Sequence, residues 1–411
     1  MGGNIFVADQ SELDSAIIEM NSQCFFIGTT LADNPVPHQF VALSHELVRR
    51  GHQVVILAPH RRTDLENYDG NPAIYTWPSA RPTKLRDAWF LHRLIQKYRP
   101  SCLISNFVAV NVMTITGWLN RVPIRSAWYH TVSEQLAQDT REPKWKQNLL
   151  RTRKRLIYGA ATHLVANSTA SAEDVRRVYS VPPSKCSVLH NALADPLRDV
   201  ELQTESPKSG RLICVGRFFP SKGQDVLIRA LEILREKIPT VHVEFIGEGP
   251  SQKSCGQLAC QLGVRDQCTF SGRVEHTEVL EKMANAIATV VPSRNEAFGL
   301  VNIESLAVGT PVVASKVGGI VEIIRDGLDG FLVPSDDPKA LAEKLYAILT
   351  NPNLRHEMHC NARQRFLNKF ELSAAIFKQS DWFESIVAPY SSEKFLPKPT
   401  AQTLTSYGTR A

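Results

Sequence analysis

The sequence predicts an α/β protein with two doubly wound parallel sheets, and three observations support this. Short β-rich segments alternate with amphipathic helical segments along almost the whole chain, which is the pattern of parallel sheets covered by helices. The chain has 411 residues, more than one hydrophobic core usually supports. The alternation stops at a polar segment with two prolines, 193–210, and then begins again. We therefore expect two domains, each with a ligand-binding edge at the carboxyl ends of its strands.

The first domain is predicted over 24–198, after an acidic N-terminal extension at 1–23. Gly51 follows its first helix in a C-terminal cap position. The predicted strands are 24–28, 54–59, 73–78, 102–106, 124–130, 163–168 and 186–190, and the predicted helices are 37–50, 83–98, 107–120, 144–158 and 169–179.

A linker at 199–210 leads to the second domain, predicted over 211–371. A last helix is expected at 372–388, and the Pro/Ser/Thr-rich tail at 389–411 is expected to be disordered. The predicted strands are 211–216, 241–247, 268–272, 287–293, 311–315 and 331–334, and the predicted helices are 223–237, 251–262, 276–285, 299–308, 337–350 and 352–369.

Composition limits the functional classes. A formal charge of +6 is too small and too dispersed to indicate nucleic-acid binding. The eight cysteines form no C-x-x-C pair and no Cys/His cluster with zinc spacing, so we expect no metal and a reducing, cytoplasmic compartment. The acidic N-terminus does not fit a signal peptide, and no apolar stretch is long enough to span a bilayer.

The most informative segment is EAFGLVNIESLAVGTPVV, at 296–313. It follows an apolar strand and begins a helix, where free N–H groups and the positive end of the helix dipole attract phosphate. Glu296 lies just before this helix and Glu304 about two turns inside it, so both carboxylates can accept hydrogen bonds from hydroxyls. Glu304 lies on an otherwise apolar helix, where an unpartnered carboxylate is costly, and a ribose diol would explain it. Phosphate plus hydroxyls indicates a nucleotide sugar; two structural glutamates are the alternative.

A second motif, VGRFFPSKGQ at 215–224, places Arg217 and Lys222 between a strand end and a helix start. Two cations there can hold a diphosphate and stabilise the charge that develops as it leaves. Taken alone, Arg217 or Lys222 is better explained as a surface charge. Because the 296–313 segment follows downstream at the right distance, we favour a diphosphate-binding role for both.

Three further features are less specific. GEGPSQ, at 247–252, lacks the last glycine of a dinucleotide fingerprint and fits a glycine turn near the ligand better. His130, at a strand end, fits either a sugar contact or a structural histidine. The run 141–155 has seven Lys/Arg against one Glu; we favour a solvated helix face, and contact with an anionic membrane is the alternative.

Taken together, VGRFFPSKG, GEGP, FSGRV, EAFGLVNIE and GTPVVASKVGG…DGLDGFLV resemble, in order across 211–350, the C-terminal half of the family-four retaining glycosyltransferases, which have the GT-B fold. RRGHQVVILAP, WYHT, HLVANS and VLHNA resemble the N-terminal half more loosely. The resemblance implies a catalytic set of Arg217, Lys222, Glu296 and His130, and a donor-binding set of Gly216, Arg273, Val274, Ala297, Phe298, Gly299, Leu300 and Glu304.

In that family the diphosphate contacts the cation pair, the sugar contacts Glu296, the ribose contacts Glu304, and the final helix crosses back to the first domain. The resemblance thus implies sugar transfer from a nucleoside-diphosphate sugar to an acceptor hydroxyl, without cofactor or metal. A sugar-nucleotide epimerase and a non-catalytic nucleotide-sugar binding protein are the alternatives. Two departures stand out: no glycine follows Gly28 in the loop TTLADNPVPHQF, and Asn191-Ala192 replaces the family's Asn-Gly.

Overall fold

The computed structural model describes residues 22–31, 34–59, 72–139, 143–198 and 211–390. Its N-terminal half contains a parallel sheet with strand order β3-β2-β1-β4-β5-β6-β7. The predicted extension up to residue 21, the whole predicted linker at 199–210 and the tail beyond 390 lie outside the described residues. The strands are β1 Cys24–Gly28, β2 Gln53–Ala58, β3 Ala73–Thr76, β4 Cys102–Ser105, β5 Ile124–Tyr129, β6 His163–Ala166 and β7 Cys186–Val188.

Helices cover both faces of this sheet. They are α1 Pro35–Arg49, α2 Leu85–Tyr98, α3 Val110–Leu119, α4 Ser133–Asp139, α5 Lys144–Ala160 and α6 Thr169–Tyr179. Two of these helices begin at residues that favour a helix N-terminus. Two prolines, Pro35 and Pro37, open α1, where the fixed proline φ suits a first turn. The Ser168 hydroxyl accepts a hydrogen bond from the Ser171 N–H and caps α6, which satisfies one of the donors left free at a helix start.

The C-terminal half contains a second parallel sheet with order β10-β9-β8-β11-β12-β13. Its elements are β8 Arg211–Val215, α7 Gln224–Arg235, β9 His242–Ile246, α8 Gln252–Gln261, β10 Cys268–Gly272, α9 His276–Ala284, β11 Ala288–Val291, α10 Leu300–Ala307, β12 Val312–Ser315, α11 Ile320–Ile323, β13 Gly330–Val333, α12 Pro338–Thr350, α13 Pro352–Lys369 and α14 Leu372–Val387. Asp337 caps α12, because its side chain accepts hydrogen bonds from the N–H groups of Lys339 and Ala340.

The predicted fold class is confirmed. In both sheets the strand order reverses beside the first strand of the half, between β1 and β4 and between β8 and β11. Loops that follow the strands on either side of such a reversal diverge and leave a crevice, which is where doubly wound sheets bind ligands. The central strands are buried along their length, because helices cover both sheet faces.

The last helix, α14, packs on the first domain. Ile376, Phe383 and Val387 join the core that contains Phe40 and Trp128. At its rim, Arg50 contacts the Asp381 and Glu384 carboxylates, each at 2.7 Å. This helix therefore ties the C-terminal end of the described chain to the N-terminal sheet.

Residues 193–198 pack on the second domain, although the sequence predicts them at the end of the first. Leu193 lies in a core cluster formed otherwise by second-domain residues. The Arg363 guanidinium contacts both carboxylate oxygens of Asp195 at 2.7 Å. Burial raises the pKa of Asp195, but the bond to Arg363 outweighs it, so the pKa lies below its ordinary value. The crossing between domains is therefore completed by about residue 192.

Most element boundaries agree with the sequence within two or three residues. The helix α4 and the single turn α11 were missed, because both are short and lack a clear apolar period. The predicted helix at 107–120 begins as a 3₁₀ turn, Phe107–Ala109, before α3. Phe107 has a φ of 47°, a left-handed conformation that no sequence pattern indicated.

The packing of α14 generates a first prediction. Phe383→Ala should lower the free energy of unfolding by about 3–5 kcal/mol, because it leaves a cavity in the first domain's core. Phe383 is fully buried, whereas Phe377 on the same helix is 54% exposed. Phe377→Ala is the matched control and should cost less than about 1 kcal/mol. Urea unfolding measures both; equal losses would show that α14 is not anchored through this face.

Candidate active site

The loops that follow β8, β9 and β10 form one continuous edge of the second sheet. The Phe218 N–H donates to the Glu248 carbonyl at 2.9 Å, and the Gly247 N–H donates to the Gly272 carbonyl at 2.7 Å. Gly216 directly follows β8, which ends at Val215, at this edge. Because backbone bonds join neighbouring loops, the residues that they carry have fixed relative positions.

The turn between β11 and α10 carries the residues of the 296–313 motif. Gly318 lies directly beneath it, and a Cβ at Gly318 would collide with the Glu296 carbonyl oxygen. The Gly319 N–H donates to the same carbonyl at 3.1 Å. Gly299, with a φ of 94°, is the residue that caps α10, and glycine adopts this left-handed conformation without strain. The turn therefore brings Glu296 and the start of α10 close together.

Lys222 and Glu296 form the central ion pair of this edge. Lys222 Nζ lies 2.5 Å from Glu296 Oε2, and their side chains are 19% and 12% exposed. The Ser293 hydroxyl lies 3.5 Å from the same oxygen. The sequence predicts both residues at the site but pairs Lys222 with Arg217, whereas in the structure Lys222 contacts Glu296. Arg217 is exposed, with its guanidinium 4.9 Å from the centre of the Phe219 ring.

Arg294 is a residue that the sequence analysis missed. Its guanidinium contacts both oxygens of Asp225, at 2.9 and 2.8 Å, and Asp336 at 2.6 Å, and it donates to the Pro220 carbonyl at 2.7 Å. Hydrogen bonding to Asp225 raises the pKa of Arg294. Arg294 thus binds the loop that carries Lys222 to the turn that carries Glu296.

Glu304 has a partner, contrary to the sequence analysis, which expected this buried carboxylate to need a ligand. Glu304 Oε1 lies 3.0 Å from Nε2 of His276, whose side chain is 43% exposed. His276 begins α9, after the loop that carries Arg273 and Val274. Arg273 is exposed, whereas Val274 packs against the core. The Glu304–His276 contact therefore brings the carboxylate predicted to bind ribose next to the loop predicted to bind the base.

His130 lies on the other domain, after β5. Its ring is stacked between Phe107, at 4.8 Å, and Trp128, at 5.7 Å between ring centres. Neither ring nitrogen has a hydrogen-bond partner in either domain among the described residues. Burial lowers the pKa of His130 to about 4, so the ring is neutral near pH 7.

The two domains meet through the same turn. The Ser168 hydroxyl, at the start of α6, donates to the Ala297 carbonyl at 2.5 Å. The ring of Phe298 stacks on His190 at 5.5 Å, and His190 Nε2 lies 2.9 Å from a Glu322 oxygen. Burial raises the pKa of Glu322, but its bonds to His190 and Thr169 outweigh this and lower it. Leu300 lies partly buried between the cores of both domains.

Within the described ranges, no three His, Cys, Asp or Glu side chains are grouped so that they could hold a metal ion. In the same part of the chain, no helix combines the length and the apolar character that crossing a membrane requires.

The structure has two facing doubly wound sheets, a C-terminal helix that crosses back to the first domain, and a basic–acidic pair at the edge of the second sheet. These features define the GT-B class of two-domain α/β proteins. Two family models match the chain: "Glycosyl transferases group 1" matches residues 200–365 and "Glycosyltransferase Family 4" matches residues 38–194. The chain belongs to the family-four glycosyltransferases, as its motifs suggested.

Relatives of known name support this membership. The chain is 32% identical over 272 residues to a D-inositol 3-phosphate glycosyltransferase of Streptomyces bingchenggensis, covering 58% of this chain and 57% of that protein. A protein of the same name from Nocardioides is 33% identical over 232 residues, or 51% of this chain and 50% of that one. The chain thus spans about half the length of the curated relatives it matches.

Solved structures confirm the fold. A sucrose-phosphate synthase from Thermosynechococcus elongatus superimposes with a TM-score of 0.70 at 20% identity, over 89% of this chain and 100% of that chain. Anabaena HepE in complex with UDP gives a TM-score of 0.69 at 18% identity, over 88% of this chain and 100% of that chain.

The buried ring nitrogens of His130 generate a second prediction. Its pKa is depressed from 6.5 to about 4, so the unfolded chain binds a proton that the folded chain does not between these pH values. Stability should therefore fall as pH drops from about 6.5 to 4, by on the order of 3 kcal/mol in total from this residue.

The measurement is urea unfolding at a series of pH values, compared between the wild type and His130→Gln. The variant should lose this part of the pH dependence. Other histidines titrate equally in both proteins, so the difference isolates His130. His92→Gln, at an exposed position, is the control; a His130→Gln profile parallel to the wild type would contradict the assignment.

Proposed function

We propose that this protein is a retaining glycosyltransferase that transfers a sugar from a nucleoside-diphosphate sugar to an acceptor hydroxyl. The observation that carries the proposal is the Lys222–Glu296 pair, held at the start of α10 on the edge of the second sheet. Anionic and hydroxyl groups of one ligand would find a cation, a carboxylate and a helix N-terminus within one short turn. Solved neighbours of the fold in complex with UDP and UDP-glucose support such a donor.

The contacts support the donor roles that we propose for these residues. Lys222 exchanges Glu296 for the diphosphate when the donor binds, and Arg217, exposed five residues earlier in the same loop, contributes the second cation. Glu296, released from Lys222, accepts a hydrogen bond from the transferred sugar. The amides of Ala297, Phe298, Gly299 and Leu300 face the sugar and the proximal phosphate. Glu304 keeps His276 on one oxygen and accepts the ribose hydroxyls on the other, and Gly216, Arg273 and Val274 border the nucleoside.

The chemistry we propose is mainly electrostatic. Arg217, Lys222 and the start of α10 stabilise the negative charge that grows on the departing nucleoside diphosphate. No carboxylate at the site is positioned by its contacts as an evident nucleophile, so we propose attack from the face that the diphosphate leaves. The donor phosphate then takes the proton of the acceptor hydroxyl. His130 contacts the sugar from the first domain as a neutral ring. No metal or cofactor takes part.

Two alternative functions, a sugar-nucleotide epimerase and a binding protein, predict different behaviour. A sugar-nucleotide epimerase would change the sugar without an acceptor, and a binding protein would hold the donor without turnover. The Lys222–Glu296 pair favours catalysis, because it supplies charge where a leaving group develops it. Nucleotide release that depends on an added acceptor separates transfer from both.

We also propose a cytoplasmic protein that contacts an anionic membrane through one face of the first domain. The eight cysteines are all free thiols, which suits a reducing compartment. The helices α2, α3 and α5 pack side by side and contain nine Lys/Arg against one acidic residue, the buried Asp87. Large apolar side chains are exposed on the same helices: Leu85, Trp89, Trp118, Leu119, Trp145, Leu149 and Leu156.

The donor site generates a third prediction. Lys222→Ala and Glu296→Ala should each lower kcat about a hundredfold or more, since one lost charge contact to the transition state costs about 3–4 kcal/mol. Release of nucleoside diphosphate from UDP-glucose, GDP- and ADP-sugars measures turnover, and circular dichroism checks the fold. Lys339→Ala, at an exposed position on α12, is the matched control. Near-normal turnover of either variant with the donor that the wild type uses rejects the site.

The basic face generates a fourth prediction. The protein should co-sediment with vesicles of phosphatidylcholine plus phosphatidylglycerol and much less with phosphatidylcholine alone, and salt should weaken the binding. Trp145→Ala combined with Leu149→Ala should reduce binding at least severalfold, because exposed apolar side chains supply the insertion energy. Phe377→Ala, an exposed aromatic residue on α14, should not. Equal sedimentation with both vesicle types would argue for a solvated face instead.

A further inference from the structure

Arg294 joins three loops at the edge of the second sheet. The loops follow β8, β11 and β13, which belong to one parallel sheet, so their carboxyl ends lie on the same side. Arg294 lies on the loop after β11, and its guanidinium contacts Asp225, in the first turn of α7, and Asp336, on the loop after β13. We call Arg294, Asp225 and Asp336 the arginine cluster. None of the three residues has a role in the chemistry proposed above.

The Arg294 guanidinium has little capacity left for a ligand. An arginine side chain carries five N–H donors. Nε of Arg294 donates to Asp336, both terminal nitrogens donate to Asp225, and Nη1 also donates to the Pro220 carbonyl, so protein groups accept four hydrogen bonds from it. Two carboxylates already balance its single charge. Arg294 can therefore influence the site through the loops that it holds, but it is poorly placed to bind a diphosphate itself.

The backbone next to Arg294 strengthens the contact with the loop after β8. The Arg294 N–H donates to the carbonyl of Ser221, the residue before Lys222, at 2.8 Å. Gly223, the residue after Lys222, packs so closely on the neighbouring segment that a Cβ there would collide with the Pro292 carbonyl oxygen. Lys222 is therefore held on both sides by the segment that leads into α10.

The position of the Lys222 ammonium depends on this junction. Lys222 and Glu296 are 74 positions apart in the chain, yet their side chains meet at 2.5 Å. A lysine ammonium sits on a flexible four-carbon stem, so its backbone must be well placed for the charge to be well placed. A misplacement of about 1 Å at a reacting centre can cost on the order of a hundredfold in rate. The accuracy of the Arg294 contacts is therefore a property that affects catalysis.

The arginine cluster differs from an ordinary surface ion pair. Exposed pairs contribute little to stability, but the Arg294 side chain is only 23% exposed. Its contact with Asp225 is bidentate, which fixes orientation as well as distance. Asp336 has a φ of 59°, a left-handed conformation that is uncommon outside glycine and that persists where the surrounding structure imposes it. A bidentate pair and a constrained carboxylate that meet on one guanidinium indicate a geometric role.

We propose that Arg294 is a positioning residue for sugar transfer: its guanidinium, bound in the arginine cluster, fixes the place of the Lys222 ammonium relative to the leaving diphosphate. The proposal rests on the glycosyltransferase function proposed above. Arg294 touches neither the donor nor the reacting atoms, so its loss acts on the reaction through Lys222. A purely structural arginine–aspartate pair would act on folding alone.

The first test measures nucleotide release by Arg294→Gln, in the full-length protein with the nucleotide sugar that the wild type uses. We expect kcat to fall about tenfold or more while the donor KM rises less than about threefold, because Arg217 and the helix amides still bind the diphosphate in the ground state. Arg294→Lys should remain about fivefold or more below the wild type. An ammonium keeps the charge but cannot reproduce the bidentate contact and the bond to Asp336 together.

Arg363→Gln is the matched control. Arg363 contacts both oxygens of Asp195 at 2.7 Å and donates to the Ala307 carbonyl at 2.8 Å, and its side chain is 17% exposed. Ala307 is the last residue of α10, so this pair lies at the end of the helix that is far from the proposed donor site. We expect a melting temperature lowered about as much as in Arg294→Gln, with kcat within about twofold of the wild type.

A double-mutant cycle separates positioning from general damage. If Arg294 acts through Lys222, its loss has no further effect once the lysine is gone. Arg294→Gln should therefore lower kcat less than about twofold in the Lys222→Ala background, whereas the effects of independent sites would multiply. Thermal melting checks that each variant is folded. If Arg294→Gln does not fold, Asp225→Asn, which removes the charge of the bidentate partner and keeps its shape, carries the same test.

Three results overturn the positioning role: near-normal kcat in folded Arg294→Gln, full activity in Arg294→Lys, or losses that multiply in the cycle. A loss of kcat in Arg363→Gln as large as in Arg294→Gln also overturns it, because stability alone would then explain the effect. Failure of the proposed function looks different, since the wild type would then release no nucleoside diphosphate from any nucleotide sugar.

Discussion

The close packing of the 296–299 turn on Gly318 and Gly319 is the constraint on which the rest of the site depends. No side chain fits between these two segments, since a Cβ at Gly318 would strike the Glu296 carbonyl oxygen and one at Gly319 would come within 2.5 Å of the Ala297 carbonyl oxygen. The turn is therefore held from below by backbone, and from the first domain by the Ser168 hydroxyl. Its position determines where Glu296 points and where α10 begins.

The same turn contacts both domains, so a donor bound there, as we propose, would affect the relative position of the domains. The Ala297 carbonyl accepts a hydrogen bond from the Ser168 hydroxyl of the first domain. The Phe298 ring stacks on His190, and His190 in turn contacts the Glu322 carboxylate of the second domain. A ligand that shifts the turn must change these contacts. The Lys222–Glu296 pair meanwhile keeps two largely buried charges neutralised in the absence of a ligand. In the function that we propose, a diphosphate replaces one partner and a sugar hydroxyl the other. The site would then be organised before the donor binds, which is how charge stabilisation becomes efficient.

Much of this could be predicted from the sequence. Alternation of apolar strands and amphipathic helices predicted both sheets, and the spacing of Lys222, Glu296 and Gly299 predicted one loop edge, because carboxyl ends of parallel strands meet on one side. The rest depends on contacts between segments far apart in the chain. From the sequence, Arg294 is indistinguishable from an ordinary surface charge. Only the fold places it beside Asp225 and Asp336. His276 could not be paired with Glu304 from sequence, because their contact depends on how α9 packs against α10.

We propose that a nucleotide sugar binds between the two domains, mainly on the second. A crystal structure of the protein with UDP-glucose, or with whichever nucleotide sugar binds, tests it most directly. We expect the diphosphate on Lys222, Arg217 and the amides at the start of α10, a sugar hydroxyl on Glu296, and the ribose on Glu304. A well-occupied donor at any other place, with the Lys222–Glu296 contact intact, would contradict it.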